Sequence, residues 1–182
     1  MDRRGDWIQT YTGRQFWPLD PRVDDVEIDD IAHALAMLCR FNGHTLEYYS
    51  VAQHSVIVSR TVPPEHALWG LLHDAAEAYI GDMVRPLKHD PQWIGDDFML
   101  AEQAIQMAVA RKFGLRPWMP TEISDADTRV LAAEARDMMA EPPADWSLPE
   151  HLPAIPDLIH PMTPRQSEVA FLDRFDEVYR AK

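Results

Sequence analysis

His73 and Asp74 stand side by side, Glu77 follows three residues after the aspartate, and Asp82 lies five residues further on. They interrupt a stretch that is otherwise apolar from Ala67 to Ile80, where Leu68, Leu71, Leu72, Ala75 and Ala78 recur at helical spacing, so a buried helix is predicted. Glu77 is one turn on from both His73 and Asp74 and shares their side of that helix. Ionisable groups buried without partners are costly, and a bound cation removes the cost. Neutral imidazole together with carboxylate suits a divalent first-row ion that keeps water in its shell, better than it suits calcium or a closed thiolate zinc site. Two ligands from one helix are too few for such an ion. His54, within Ser50-Val51-Ala52-Gln53-His54-Ser55, and Asp127, within Ser124-Asp125-Ala126-Asp127, are the candidates for the others.

Periodicity and caps outline the elements that must carry these residues. Ile31, Ala34, Leu35, Leu38 and Phe41 follow Asp29 and Asp30 at helical spacing and predict a helix from about Ile28 to Arg40, broken at Asn42-Gly43. Ser50 with Gln53 three residues later has the form of a capping box and opens a second helix, carrying His54, to about Arg60. Pro63-Pro64 separates it from the third helix, which bears His73 and Asp74, is expected to be central, and ends at Gly81 in a left-handed cap. Asp90-Pro91 opens a fourth helix to Gly114, and Thr121 caps a fifth, carrying Asp127, to about Met139. Prolines 142, 143, 149, 153, 156 and 161 exclude regular helix from residues 142–163 and leave an extended crossing or a loop. Thr163-Pro164-Arg165-Gln166 opens the last helix, to about Arg180. Before all of these, Trp7 to Trp17 flank Thr12-Gly13 with β-favouring residues, so residues 1–27 read as an N-terminal arm, either a short hairpin or an extended segment. The whole is predicted to be one all-α domain over residues 1–182, a bundle of about six helices with a small N-terminal β element.

Composition narrows the chemistry. The single cysteine, Cys39, excludes an intramolecular disulfide and a thiolate cluster. A net charge of −13, with no stripe of Lys or Arg, disfavours a nucleic-acid polymer as partner. The apolar runs are too short and too often charged to span a membrane, and Met1 to Asp6 lead into no secretory signal, so a cytoplasmic location is the default expectation.

The order of an isolated histidine, a His-Asp pair and a distant aspartate resembles the HD-domain metal phosphohydrolases, with His54, His73, Asp74 and Asp127 in the four ligand positions. Val51-Ala52-Gln53-His54-Ser55, and His73-Asp74-Ala75-Ala76-Glu77 followed by Gly81-Asp82, Pro86 and Lys88, are similar to the branch that includes bacterial 5′-deoxynucleotidases, over roughly residues 28 to 137. A subgroup found in phage and prophage genomes shares the arm and the stretch Arg40-Phe41-Asn42-Gly43-His44. The branch commonly has tryptophan where Phe41 stands, and neither the arm from residue 7 to 27 nor the proline-rich tail from 142 onward has a counterpart in the branch at large.

The resemblance implies an HD-type helical bundle, one divalent ion (Mn, Co, Mg, Ni, Fe or Zn), and dephosphorylation of deoxynucleoside 5′-monophosphates. Arg40, Phe41 and Lys88 are then expected to hold the nucleotide, and Glu77 and Asp82 to position the attacking water and move protons. The alternatives are a dNTP triphosphohydrolase, which calls for more cations around the polyphosphate, and a nucleotide-binding regulatory module without catalysis. A dinuclear oxygenase needs further ligating histidines after the His-Asp pair, and His89 alone does not supply them. A homodimer is the expectation from the frequency of such assemblies.

Overall fold

The computed structural model describes residues 2–88, 90 and 95–180. Strands β1 (Ile8–Gln9) and β2 (Gln15–Phe16) pair antiparallel, Ile8 opposite Phe16, around a turn in which Gly13 takes φ 80°. The hairpin is fastened to helix α1 (Ile28–Met37): the Thr12 backbone N–H and hydroxyl donate to the buried Asp30 carboxylate at 2.7 and 3.1 Å, and Tyr11 stacks on His33. Asp30, expected only as a favourable charge at a helix start, is therefore the anchor of the arm. Phe16 is fully buried and stacks on Tyr79.

Helix α1 stops at Met37, a turn earlier than the apolar spacing suggests, because Leu38 turns extended and Cys39 bridges to Ser50. A 3-10 turn over Arg40–Gly43 follows. Helix α2 (Val51–Thr61) opens where expected, with the Ser50 side chain accepting from the Gln53 N–H. Gln53 does not complete the reciprocal box. Its amide instead donates to the His160 carbonyl at 2.7 Å and accepts from the Met162 N–H at 2.9 Å.

The predicted third helix is two helices, α3 (Ala67–Leu72) and α4 (Glu77–Ile80), separated by turns over His73 to Ala76. Gly81 ends the second with φ 73° and ψ 174°, so its φ is positive as expected but it lies outside the left-handed helical region. Helices α5 (Arg85–Lys88) and α6 (Gly95–Lys112) come next, and Pro91 of the predicted Asp90-Pro91 cap, like His89, lies outside the described residues. Helix α7 (Thr121–Asp137) has Pro120, not Thr121, at its N-cap, and the Thr121 hydroxyl donates to the neighbouring Glu122 side chain. Helix α8 (Pro164–Arg180) has the full box: the Gln166 N–H donates to the Thr163 hydroxyl, and the Gln166 side chain accepts from the Thr163 N–H.

Helix α2, not the expected third helix, is the hub, since it packs on α1, α3, α7 and α8. One apolar cluster, including Ile31, Leu35, Leu72, Ile105 and Phe171, lies on one side of it, and another, with Val58, Trp69, Ile123, Val130 and Ile159, on the other. Residues 142–163 before α8 contain no helix or strand and are tied across α7: Arg136 donates to the Ile155 and Asp157 carbonyls, and Asp137 accepts from the Ile159 N–H. No helix among the described residues is long and apolar enough to cross a membrane.

Candidate metal centre

The hub helix buries His54 completely, one turn inside its capped start. From its Nε2 the His73 Nε2 is 3.2 Å away, Asp74 Oδ2 3.7 Å and Asp127 Oδ1 3.1 Å, and His73 Nε2 lies 3.2 Å from Asp74 Oδ2. Ligand atoms of His54, His73 and Asp74 all lie within 4.8 Å of one another and form a group that can hold a metal ion. Asp127, on α7, lies outside this group of three but touches it through His54, whereas Asp125 is exposed.

Hydrogen bonds fix which ring nitrogens face this point. His73 Nδ1 lies 2.9 Å from the Gly70 carbonyl, which can only accept, so Nδ1 carries the proton. His54 Nδ1 lies 2.7 Å from Oε1 of the fully buried Glu134. Burial alone would raise the Glu134 pKa, but Arg40 and His54 bring it down to about 2, so it is a carboxylate and His54 Nδ1 donates to it. Both Nε2 atoms therefore direct lone pairs at the centre when the rings are neutral, and two carboxylates point there too. That donor set fits a cation, with Glu134 and the Gly70 carbonyl orienting the two imidazoles from behind.

The electrostatics agree. Burial would raise Asp74, yet His73, His54 and Arg40 hold it below the usual carboxylate range, and the hydrogen bond to His54 does the same for Asp127. Burial and Arg40 would lower His54, but Glu134 and Asp127 outweigh them and push it up to about 9. The ion-free protein thus meets the negative field with a proton on His54. Glu77 behaves oppositely: burial, then Asp74 and Asp82, raise its pKa well above normal, and its Oε2 is buried without a hydrogen-bond partner among the described residues. Asp82 is raised as well, by burial first and by Asp74 against the opposing effect of Arg40.

A cleft of about 700 Å³, within the range typical of small-molecule sites, is lined by Arg40, Phe41, Asp82, Lys88, Asp127 and Trp146, among others. Phe41 lines it on left-handed backbone, and Asn42 beside it shares the conformation (φ 52° and 50°), which costs of order 1–3 kcal/mol for each non-glycine residue and is concentrated at functional sites. Arg40 donates to Glu134 at 3.0 Å, lies 3.8 Å from Asp74 Oδ2, and sits over the Phe41 ring at 5.2 Å. Lys88 is paired with Glu102 at 2.6 Å. A second cleft, about 360 Å³, is lined by His73, Asp74 and Asp127 and shares Lys88 and Asp127 with the first.

The chain is 37% identical over 173 residues to the uncharacterized protein YfdR of Escherichia coli (strain K12), covering 94% of this chain and 95% of that protein. It belongs to the YfdR family. An uncharacterized protein of Rhodobacter capsulatus is 38% identical over 139 residues, 71% of this chain and 69% of the relative. No protein-family profile matches the chain.

In this member of the YfdR family two residues of the centre escaped sequence reasoning. Glu134 is one of many acids on an amphipathic helix; its signal is a position seven residues after Asp127, two turns along the same face. Gln106 of α6 is the other. Its amide donates to the Leu72 carbonyl at 2.6 Å and accepts from the Ala76 N–H at 3.2 Å, the two groups that would bond each other in a continuous helix. The side chain is thus spliced into the helical ladder around His73 and Asp74. A polar residue on a mostly apolar helix face was the only hint.

Proposed function

We propose that this protein is an HD-type, metal-dependent phosphohydrolase that removes the 5′-phosphate from deoxynucleoside monophosphates. The observation that carries the reading is the grouping of His54, His73 and Asp74, with Asp127 3.1 Å from His54 and also on the wall of a cleft that presents cations and aromatic rings.

Charge supports a divalent ion. Counted as carboxylates, Asp74, Asp127 and Glu134 bring three negative charges, and with neutral histidines Arg40 opposes them with one positive charge, which leaves two negative charges in a buried place. A divalent cation held by His54, His73, Asp74 and Asp127 supplies a Lewis acid for a phosphate oxygen and lowers the pKa of water.

The chain's own groups divide the remaining work. Water attacks phosphorus, one P–O bond forms, the bond to the 5′-oxygen breaks, and a proton released by the water must reach that oxygen. Glu77, whose pKa is raised by burial and by its acidic neighbours, is suited to deliver a proton, and Asp82, on the cleft wall, to orient the water and accept one. Arg40 faces the cleft beside Asp74 and offers its guanidinium to the phosphate. Arg40 and Lys88 already have carboxylate partners, so among the described residues lining the cleft Arg85 is the cation with no ion pair. That supply suits one phosphate better than three.

A product-resolved screen of mono-, di- and triphosphates with Mn, Co, Mg, Ni, Fe and Zn tests the reading. Orthophosphate and a deoxynucleoside are expected, and tripolyphosphate would replace the reading by a dNTP triphosphohydrolase. No turnover across the panel, or full activity in Asp74→Ala, would refute it.

A further inference from the structure

The proline-rich segment that crosses α7 presents one large side chain to the cleft, and nothing in the catalytic reading uses it. Trp146 is 38% exposed, and its ring centroid lies 6.0 Å from that of Phe41 with the planes inclined at 59°. Both rings line the cleft that contains Arg40, Asp82 and Asp127.

The backbone gives independent weight to this pair. Among the described residues the non-glycine positions with positive φ are Phe41, Asn42 and Ser147. All three belong to the two turns that hold these rings. Ser147 at φ 53° directly follows Trp146, and its N–H donates to the Asp145 side chain at 3.0 Å, which closes a turn around the tryptophan. Unfavourable backbone is kept on both arms of one aromatic corner.

The corner is a wedge, since rings 6.0 Å apart and inclined at 59° do not enclose a parallel slot. Arg40 lies over the Phe41 ring at 5.2 Å and so occupies part of that surface, which makes the half-exposed indole the more accessible π-face. Arg40 also stands 3.8 Å from Asp74 Oδ2. A single guanidinium therefore separates the aromatic corner from the metal-binding carboxylate. A ligand that uses both ends must join a planar ring to an anion through a short spacer, as a nucleoside monophosphate does.

We propose that Trp146 is a specificity-determining residue: with Phe41 it forms the wall on which the nucleobase stacks while the phosphate lies at the metal centre. This deepens the phosphohydrolase reading and rests on it for the position of the phosphate. Stacking of a base on an aromatic side chain corresponds to roughly a 10- to 100-fold change in affinity.

The test compares wild type, Trp146→Ala and Trp146→Phe on a deoxynucleoside monophosphate and on deoxyribose 5-phosphate, which lacks the base. Equilibrium binding of both compounds to the metal-loaded proteins is measured in parallel. In Trp146→Ala the KM for the nucleotide is expected to rise and the preference for nucleotide over deoxyribose 5-phosphate to fall by roughly 10- to 100-fold, with Trp146→Phe recovering most of it. An alanine variant with the wild-type preference overturns the proposal, as does one impaired to the same degree toward both compounds. If wild type hydrolyses neither compound, the phosphohydrolase reading fails. Binding then decides the base site by itself: base-dependent affinity lost in Trp146→Ala upholds it, and equal or absent binding overturns it.

Discussion

Replacing Glu134 by glutamine probes the centre without touching a ligand. The glutamate accepts from His54 Nδ1 at 2.7 Å with one oxygen and from Arg40 at 3.0 Å with the other, and no part of its side chain is exposed. Glutamine has one acceptor and one donor group in the same shape. If its oxygen faces Arg40, its NH₂ faces His54 Nδ1, which must then accept; the imidazole proton moves to Nε2 and blocks the metal-binding lone pair. If it flips, NH₂ opposes the guanidinium. Either orientation loses one charge-assisted bond, and loss of a group that orients a ligating histidine typically lowers metal affinity about 10- to 100-fold, or about 1.4–2.8 kcal/mol. Glu134→Ala should also destabilise the fold by roughly 3–5 kcal/mol, because Arg40 loses its closest buried counter-charge. For a chain of this length that is a fall in Tm of roughly 6–20 °C. Competition titration against a chelator gives the affinity, thermal unfolding gives the Tm, and nitrogen NMR of the imidazole gives the tautomer. Wild-type metal affinity in Glu134→Gln, with His54 still protonated on Nδ1, would refute the reasoning.

Three further outcomes are expected. Gln106→Ala removes the side chain that keeps the Leu72 carbonyl and the Ala76 N–H from bonding each other, so metal affinity should fall while the Tm changes little; titration and melting curves check this. Glu77→Gln should retain metal binding, read by titration, and lose about 10²- to 10⁴-fold in kcat on a nucleoside monophosphate. Asp137 has its pKa lowered chiefly by Arg136, and also by the Ile159 N–H, so it stabilises the fold fully above the ordinary carboxylate value of about 3.9, and that contribution is lost as pH falls through the lower folded value. Asp137→Asn should therefore lower the Tm at neutral pH and leave a shallower decline of Tm on acidification.

What could be read from the sequence depended on how far the deciding contact lay along the chain. The start of α2 was legible because Ser50 caps a backbone N–H three residues away. The destiny of Gln53 was not, since its partners, His160 and Met162, are 107 and 109 residues off. The same distinction divides the candidate site. His54, His73, Asp74 and Asp127 stand out as rare groups at telling intervals, and the fold brings them together. Glu134 differs from other glutamates only in being fully buried between Arg40 and His54, a fact created by the packing of α7 on α2. Helix α1 shows the limit of periodicity: Leu38 and Phe41 continue its apolar spacing, but Cys39 and Arg40 form backbone contacts to Ser50 and Tyr49, and the chain leaves the helix to make them.

The broken third helix is the most informative of these departures. Successive residues on a regular helix point about 100° apart, so an adjacent histidine and aspartate would diverge from any common target. Here the Ala75, Glu77, Ala78 and Tyr79 N–H groups bond three residues back instead of four, which tightens the chain through His73 and Asp74. Gln106 occupies the two backbone groups that a continuous helix would pair, and it compensates them from α6. The result is His73 Nε2 at 3.2 Å from Asp74 Oδ2, with both groups on one centre. The His-Asp dipeptide can serve as a ligand pair because the helix that carries it is interrupted at that point, and the side chain that holds the interruption open lies more than thirty residues downstream.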